Sequence, residues 1–261
     1  MALGNASRAN NLTPMSGHSK WHQIRHKKAR SDKKRAKEWS ILSRNIIVAA
    51  RSGGGDAKAN YKLAFALEEA KAANMPAVTV ERAIKRGTGE IAGADPEELT
   101  YEGYGPGGVA IIVEALSDNR ARTAPAVKHA FDKNGGNLGT TGSVTRQFER
   151  KGIILVEKDK APEDALLEMV ADAGADDLDS SGEYYEIKTT PTKFEPVKKA
   201  LKDRKIKIES AELVQVPLMT KPVDEENGKK LIKLIELLEE LDDVQHVFAN
   251  HELPESLMSQ L

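Results

Sequence analysis

Between Ser31 and Ser52 the apolar residues recur at helical spacing. Trp39, Leu42, Ile46, Ala49 and Ala50 fall at i, i+3, i+7, i+10 and i+11, which predicts a single buried stripe on an amphipathic helix. Lys33, Lys37, Arg44 and Arg51 are spaced four, seven and seven apart, so at about 100° per residue they form a basic ridge opposite that stripe. Ile41, Ile47 and Val48 flank the ridge, so part of this side must also be covered. Gly53-Gly54-Gly55 ends the helix, because glycine accepts the left-handed conformation of a helix exit. Leu63, Ala66, Leu67 and Ala70 give a second helix that stops before Met75-Pro76, and Thr79 can cap a third that closes at Gly87. A helical bundle over residues 20–92 follows.

Past residue 100 strands and helices alternate. A strand at 109–115, a helix at 123–134 and a strand at 143–148 are answered much later by a strand at 213–217, a helix at 225–241 and a strand at 244–249. Between these halves lie strand 152–157, helix 162–173, strand 175–179, strand 183–189, helix 193–204 and strand 206–209. Both sets read βαββαβ. The fold class is therefore α+β: the helical bundle, then two ferredoxin-like α+β domains, one (151–209) inserted in the central hairpin of the other (100–150 and 210–261). Thr192-x-x-Glu195 has the form of a capping box, Gly174 stops a helix, and Leu231, Leu234, Ile235, Leu238 and Leu241 form an apolar stripe.

Charge sharpens this picture. The 261 residues carry a formal net charge of only −1. Residues 20–51 nevertheless hold eleven Lys or Arg against Asp32 and Glu38, a local charge of +9, which leaves −11 for residues 52–261. A basic head on an acidic body points to a polyanion at one end, since Lys and Arg on phosphates gain affinity by releasing counterions. A solvated basic helix face is the alternative. With no Cys there are no disulfides, thiol nucleophiles or Cys-based zinc sites, which suits a reducing compartment; the cytoplasm is expected, with a mitochondrial matrix as the alternative. No apolar run reaches the roughly 20 residues of a membrane span. Residues 1–19 read as a disordered extension without a secretory signal, and Met15 is an alternative start.

The candidate nucleic-acid contacts are His18, Lys20, Trp21, Arg25, His26, Lys27, Lys28, Arg30, Lys33, Lys34, Lys37, Arg44 and Arg51 in the head, with Arg82, Lys85 and Arg86 on its third helix. His and Trp among cations suit base stacking and phosphate donation, although Trp21 reads equally well as a core anchor. Arg120 and Arg122 stand with Asn119 where a strand gives way to a helix, a place where free N–H groups attract anions. His18, His22 and His26 are spaced for three imidazoles in a row, but dense positive charge disfavours a cation there, so neither metal nor cofactor is expected. The acidic set Asp172, Asp176, Asp177, Asp179 and Glu183 reads as a solvated face. Two glycine-rich stretches, 101–108 and 134–143, lack the order of a dinucleotide or P-loop motif and read as turns, with Tyr101 and Tyr104 as surface candidates. No heptad seam argues for a dimer, and a monomer is expected.

His18-Ser-Lys-Trp21, Ala73-Asn-Met-Pro76, Glu81-Arg-Ala-Ile-Lys-Arg-Gly87, Tyr101-Glu-Gly-Tyr-Gly-Pro-Gly-Gly108, Asp118-Asn-Arg120, Asn134-Gly-Gly-Asn-Leu-Gly139 and Leu241-Asp-Asp-Val-Gln245 resemble blocks of the YebC/PmpR family, which includes the mitochondrial translational activator of cytochrome c oxidase. The resemblance runs in unchanged order from Met15 almost to the end. His22 and Val78 depart from the pattern, and the former weakens the three-histidine site further. The resemblance implies a helical N-terminal domain, two α+β domains, no catalytic activity and a role in gene expression. The expected function is that of a non-enzymatic, DNA-binding transcriptional regulator. A factor acting on ribosomal RNA in translation is the runner-up, and an enzyme, for which no base and nucleophile cluster, is third.

Overall fold

The computed structural model describes the backbone of residues 32–258 and the side chains from Lys37 to Met258. Three helices make the head: α1 (Asp32–Gly53), α2 (Tyr61–Ala72) and α3 (Ala77–Gly87). The predicted stripe is the core: Leu42, Ile46, Ala49 and Ala50 are buried against Leu63, Ala66, Ala70, Met75 and Ala83. Trp39 packs on this cluster half-buried, its indole N–H donating to Ala73 O at 3.0 Å. Asn60 caps α2 by accepting from the Leu63 N–H, and its amide donates to Ala49 O and Gly54 O, which locks the α1–α2 turn. The third helix begins behind Pro76, two residues before the expected Thr79 cap, because proline presets the φ of a helix entry. Gly87 is buried where α3 crosses α1. A Cβ there would lie 2.6 Å from Ile47 O and 2.7 Å from Ala50 Cβ. Ile47 is therefore core as well, which accounts for the covered side of the ridge.

The body contains β1 (Glu97–Gly105), β2 (Val109–Ser117), α4 (Arg120–Lys133), β3 (Asn137–Leu138), β4 (Phe148–Glu157), α5 (Glu163–Asp172), β5 (Asp177–Asp179), β6 (Tyr184–Thr189), α6 (Pro191–Asp203) and β7 (Ile208–Pro217). It closes with β8 (Lys221–Pro222), α7 (Glu225–Glu240), β9 (Val244–Ala249), β10 (His251–Glu252) and α8 (Glu255–Met258). The class is α+β, as the pattern predicts. The inserted unit forms an antiparallel sheet in the order β5-β6-β4-β7 with α5 and α6 on one face, the ferredoxin-like arrangement.

The outer unit reaches the same arrangement by another route. Its sheet runs β3-β1-β2-β9, so β3, β2 and β9 hold the places of β5, β4 and β7, and β1 takes the place of β6. The hydrophobic pattern does not reveal β1. The strands expected at 143–148 and 213–217 are corrected accordingly: residues 145–147 form a 3-10 turn, and β4 and β7 pair from Phe148↔Pro217 to Val156↔Ile208, so Phe148 and residues 213–217 belong to the inserted sheet. The reason is local. Glu102 of β1 accepts the N–H groups of Gly142, Val144 and Thr145, which leaves that segment no donors for a ladder. The capping box at Thr192 does not form either. Helix α6 starts at Pro191, and Glu195 reaches forward to Lys198.

The two sheets stack face to face. Val109, Ile111, Val113 and Ala115 of β2 face α4 and α7, while the alternate Ala110 and Ile112, with Phe248 of the neighbouring β9, face Ile153, Leu155 and Val214 of the second sheet. The result is four layers, helix–sheet–sheet–helix, with β2 buried on both faces. That is why its sequence is continuously apolar.

Candidate nucleic-acid interface

His18, Lys20, Trp21, Arg25, His26, Lys27, Lys28 and Arg30 lie outside the described residues, as does His22. Lys33 and Lys34 lie on α1, with side chains outside the described set. Lys37 lies half-buried on the same helix, and of the remaining candidates Arg44, Arg51, Lys85, Arg86 and Arg122 have partners in the structure.

The ridge does not hold as one free face. Arg44 is only 15% exposed and donates to Asp242 O at 2.6 Å and to Asp243 Oδ1 at 3.0 Å, because α1 lies across the end of the outer sheet where β9 begins. Next to it the Gln245 amide donates to Asn45 Oδ1 at 3.0 Å. Arg51 pairs with Asp95 and stays half exposed. On α3, Lys85 pairs with Glu81 at 2.7 Å. Arg86 donates to Ala94 O at 2.7 Å and reaches Asp118 at 3.3 Å. Arg82 is exposed and forms no ion pair among the described residues.

The anion site read at the start of α4 is partly occupied from within the chain. Asn119 Oδ1 accepts the Arg122 N–H at 3.0 Å and caps the helix. The Arg122 guanidinium folds onto both oxygens of Asp243 at 2.8 Å and reaches Asp118 at 3.2 Å. Burial alone would raise the Asp243 carboxyl, but the Thr123, Arg122 and Ser117 hydrogen bonds and the Arg44 charge outweigh it and hold the group below its ordinary range. Arg120 stays exposed, with no ion pair among the described residues.

Asp118, Asp242 and Asp243 thus fasten the head to the outer sheet through Arg44 and Arg86, while Arg122 of α4 braces Asp118 and Asp243 from the body side. Sequence reasoning missed this seam, because its partners are as much as 199 residues apart. A second contact joins the head to the inserted unit. Lys198 Nζ sits 3.8 Å above the centre of the Phe65 ring, and Lys202 pairs with Glu68 at 2.9 Å. The acidic set is tied down too: Lys151 holds Asp176, and Lys188 holds Asp177.

The two glycine-rich stretches meet at the opposite end of the outer sheet. Gly103 and Tyr104 pair with Leu138 and Asn137. Glu102 is buried, yet its three N–H donors at 2.7–2.9 Å outweigh the burial and hold its pKa at about 2. Tyr104 donates its hydroxyl to Ser143 O at 2.9 Å with its ring 37% exposed, whereas Tyr101 packs on the core. Among the described residues no group of three His, Cys, Asp or Glu is placed to hold a metal ion. No described helix is long and apolar enough to cross a membrane.

With this geometry in hand, the comparisons with known proteins are specific. The family model described as the TACO1/YebC protein N-terminal domain matches residues 19–90, and that of the TACO1/YebC second and third domain matches residues 96–251. The chain belongs to the TACO1/YebC family. A relative from Persephonella marina is 52% identical over 249 residues, covering 95% of this chain and 100% of its own. Another from Natranaerobius thermophilus is 49% identical, covering 94% and 99%. Each is named a probable transcriptional regulatory protein. The crystal structure of a conserved hypothetical protein from Aquifex aeolicus superposes with a TM-score of 0.81 at 48% identity, over 90% of this chain and 97% of that one. The TACO1/YebC boundary at residues 90–96 falls in the segment joining α3 to β1, the connection bridged by Arg51–Asp95 and Arg86–Ala94.

Proposed function

We propose that this chain is a non-enzymatic regulator of gene expression that binds nucleic acid, with DNA as the leading target, through the basic segment of its head. The observation that carries this reading is the charge separation: +9 over residues 20–51 against −11 over residues 52–261, on a head whose docking seam neutralises only part of that charge. Arg44 and Arg86 serve mainly to hold the head in place, on carboxylates that Arg122 of the body also grips. Contacts to phosphate then fall to the cations from Lys20 to Lys37, assisted by Arg82 and Arg120. The names of the relatives support transcription as the process, in the cytoplasm of a bacterium. Ribosomal RNA is the second reading, favoured by Arg82 and Arg120, exposed cations without an ion pair among the described residues, which suit phosphate binding better than base readout.

The test is paired. Affinity for an operator against random duplex DNA at physiological salt should differ by roughly 10³ or more for a transcriptional regulator. Sedimentation of lysate with and without RNase should show no ribosome association. A flat DNA ratio with RNase-sensitive ribosome association would replace DNA by RNA as the target. Changing Lys27, Lys28, Arg82 and Arg120 to Ala should flatten the log–log salt dependence by about one unit per lost phosphate contact.

A further inference from the structure

The head docks at one end of the outer sheet, at Ser117 and Asp243. The other end, where β2 begins, carries both glycine-rich loops. The eight steps of β2 from Val109 to Ser117 separate the two ends by about 27 Å.

This far end is built rather than loose. A buried, ionised carboxylate is costly unless fully bonded, and Glu102 uses its oxygens entirely on the N–H groups of the loop after β3. The Gly139 N–H donates to Glu102 O at 2.7 Å, and the Tyr104 hydroxyl ties the same loop at Ser143. Gly107, Gly108 and Gly142 adopt positive φ at the surface, where a side chain would strain the turn. The chain holds a loop tip firmly here, and none of the chemistry described above uses it.

Its surface chemistry is distinct from the rest of the body. Residues 133–148 contain Lys133 and Arg146 and no acid at all, within a body of charge −11. Lys221 lies beside Gly108, its Nζ 3.0 Å from where a Cβ on that glycine would stand. Arg146 and Lys221 are exposed and form no ion pair among the described residues. Of the acids near Lys221, Asp224 caps α7 through Asn227, Glu225 and Glu226 pair with Lys229 and Lys230, and Glu252 accepts from Thr220. Tyr104, 37% exposed, is fixed through its hydroxyl to Ser143 O, and Arg146 follows Ser143 by three residues.

We infer that this glycine-loop end is a second contact surface, for single-stranded nucleic acid, with Tyr104 as the stacking platform and Arg146 and Lys221 on flanking phosphates. The inference rests on the reading of the chain as a nucleic-acid binder and adds a contact that the basic head does not supply. An exposed aromatic ring with cations nearby recognises unpaired bases, which a duplex does not offer. The end should therefore favour single strands over duplex.

The experiment uses the full chain and a short, labelled, mixed-sequence single-stranded RNA, read by anisotropy beside a duplex DNA of equal length. The double variant Tyr104→Ala with Arg146→Ala should bind the RNA about tenfold more weakly, leave duplex affinity unchanged and melt as the parent does. Tyr104→Phe, which keeps the ring, should retain most of the RNA affinity and shows that the loss is not one of folding. Equal RNA binding by parent and double variant overturns the inference alone, and leaves the exposed Leu218 and Met219 beside this surface as a protein-docking tip. A parent chain that binds neither RNA nor DNA overturns the functional reading beneath it as well.

Discussion

Arg122 grips both oxygens of Asp243 at 2.8 Å, while Arg44, 199 residues earlier in the chain, reaches the same carboxylate at 3.0 Å. One buried acid thus joins a helix of the head to a helix of the body. Replacing it removes the one acceptor that both guanidiniums share, leaving Arg44 on Asp242 O and Arg122 on Asp118. Asp243→Asn should lower stability by about 3 kcal/mol, read as a shift of the urea midpoint. Arg44→Ala leaves Arg122 in place and should cost less, about 1–2 kcal/mol, but it should split thermal unfolding into two steps as the head melts apart from the sheets. A single unshifted transition in both variants would show that the seam contributes nothing.

Acid should weaken the fold in two windows. Glu102 has a folded pKa of about 2 against an ordinary 4.5, so the unfolded chain takes up its proton first, and a contribution of about 3 kcal/mol present above pH 4.5 is lost as the pH falls towards 2. Burial likewise lowers His251 from 6.5 to about 4. The neutral ring favours the folded state, and its contribution is lost as the pH falls from about 6.5 to 4. Stability measured by denaturant against pH should fall through both windows. Glu102→Gln should flatten the lower one, and His251→Leu the upper.

Gly87 tests the head alone. A methyl group there meets backbone and side chain of α1 at 2.6–2.7 Å, so Gly87→Ala should force α3 away from α1 and cost about 1–3 kcal/mol. Helical circular dichroism should show an earlier loss of the head while the sheets stay folded.

Much of this architecture is legible in the sequence because periodicity reports burial. The α1 stripe and the βαββαβ order of the inserted unit both follow from it. Strand β1 escapes because Glu97, Glu98, Thr100, Gly103 and Gly105 dilute its apolar content. Only Leu99 and Tyr101 alternate inward, ahead of a glycine turn into β2, and that hairpin signal is the one that could have revealed it. Arg44 is misread for another reason. On a helix wheel it stands opposite the core of its own bundle, and the wheel holds no information about a surface supplied by Asp242 and Asp243 in another domain. Glu102 carries no local signal of its three donors, which lie forty residues on.

The outer sheet is completed by its last strand: Ile111 pairs with Ala249, and Ile112 with Phe248. A polypeptide made from its N-terminus forms the head helices first, then the inserted sheet, whose strands all fall within 148–217. The outer sheet can close only when β9 has been synthesised. Asp243 precedes that strand by one residue, so the anchor of Arg44 is made long after the helix that carries Arg44. The pairs Arg86–Asp118 and Lys202–Glu68 use residues made before β9, so Arg44–Asp243 is the last of the head's fastenings to close.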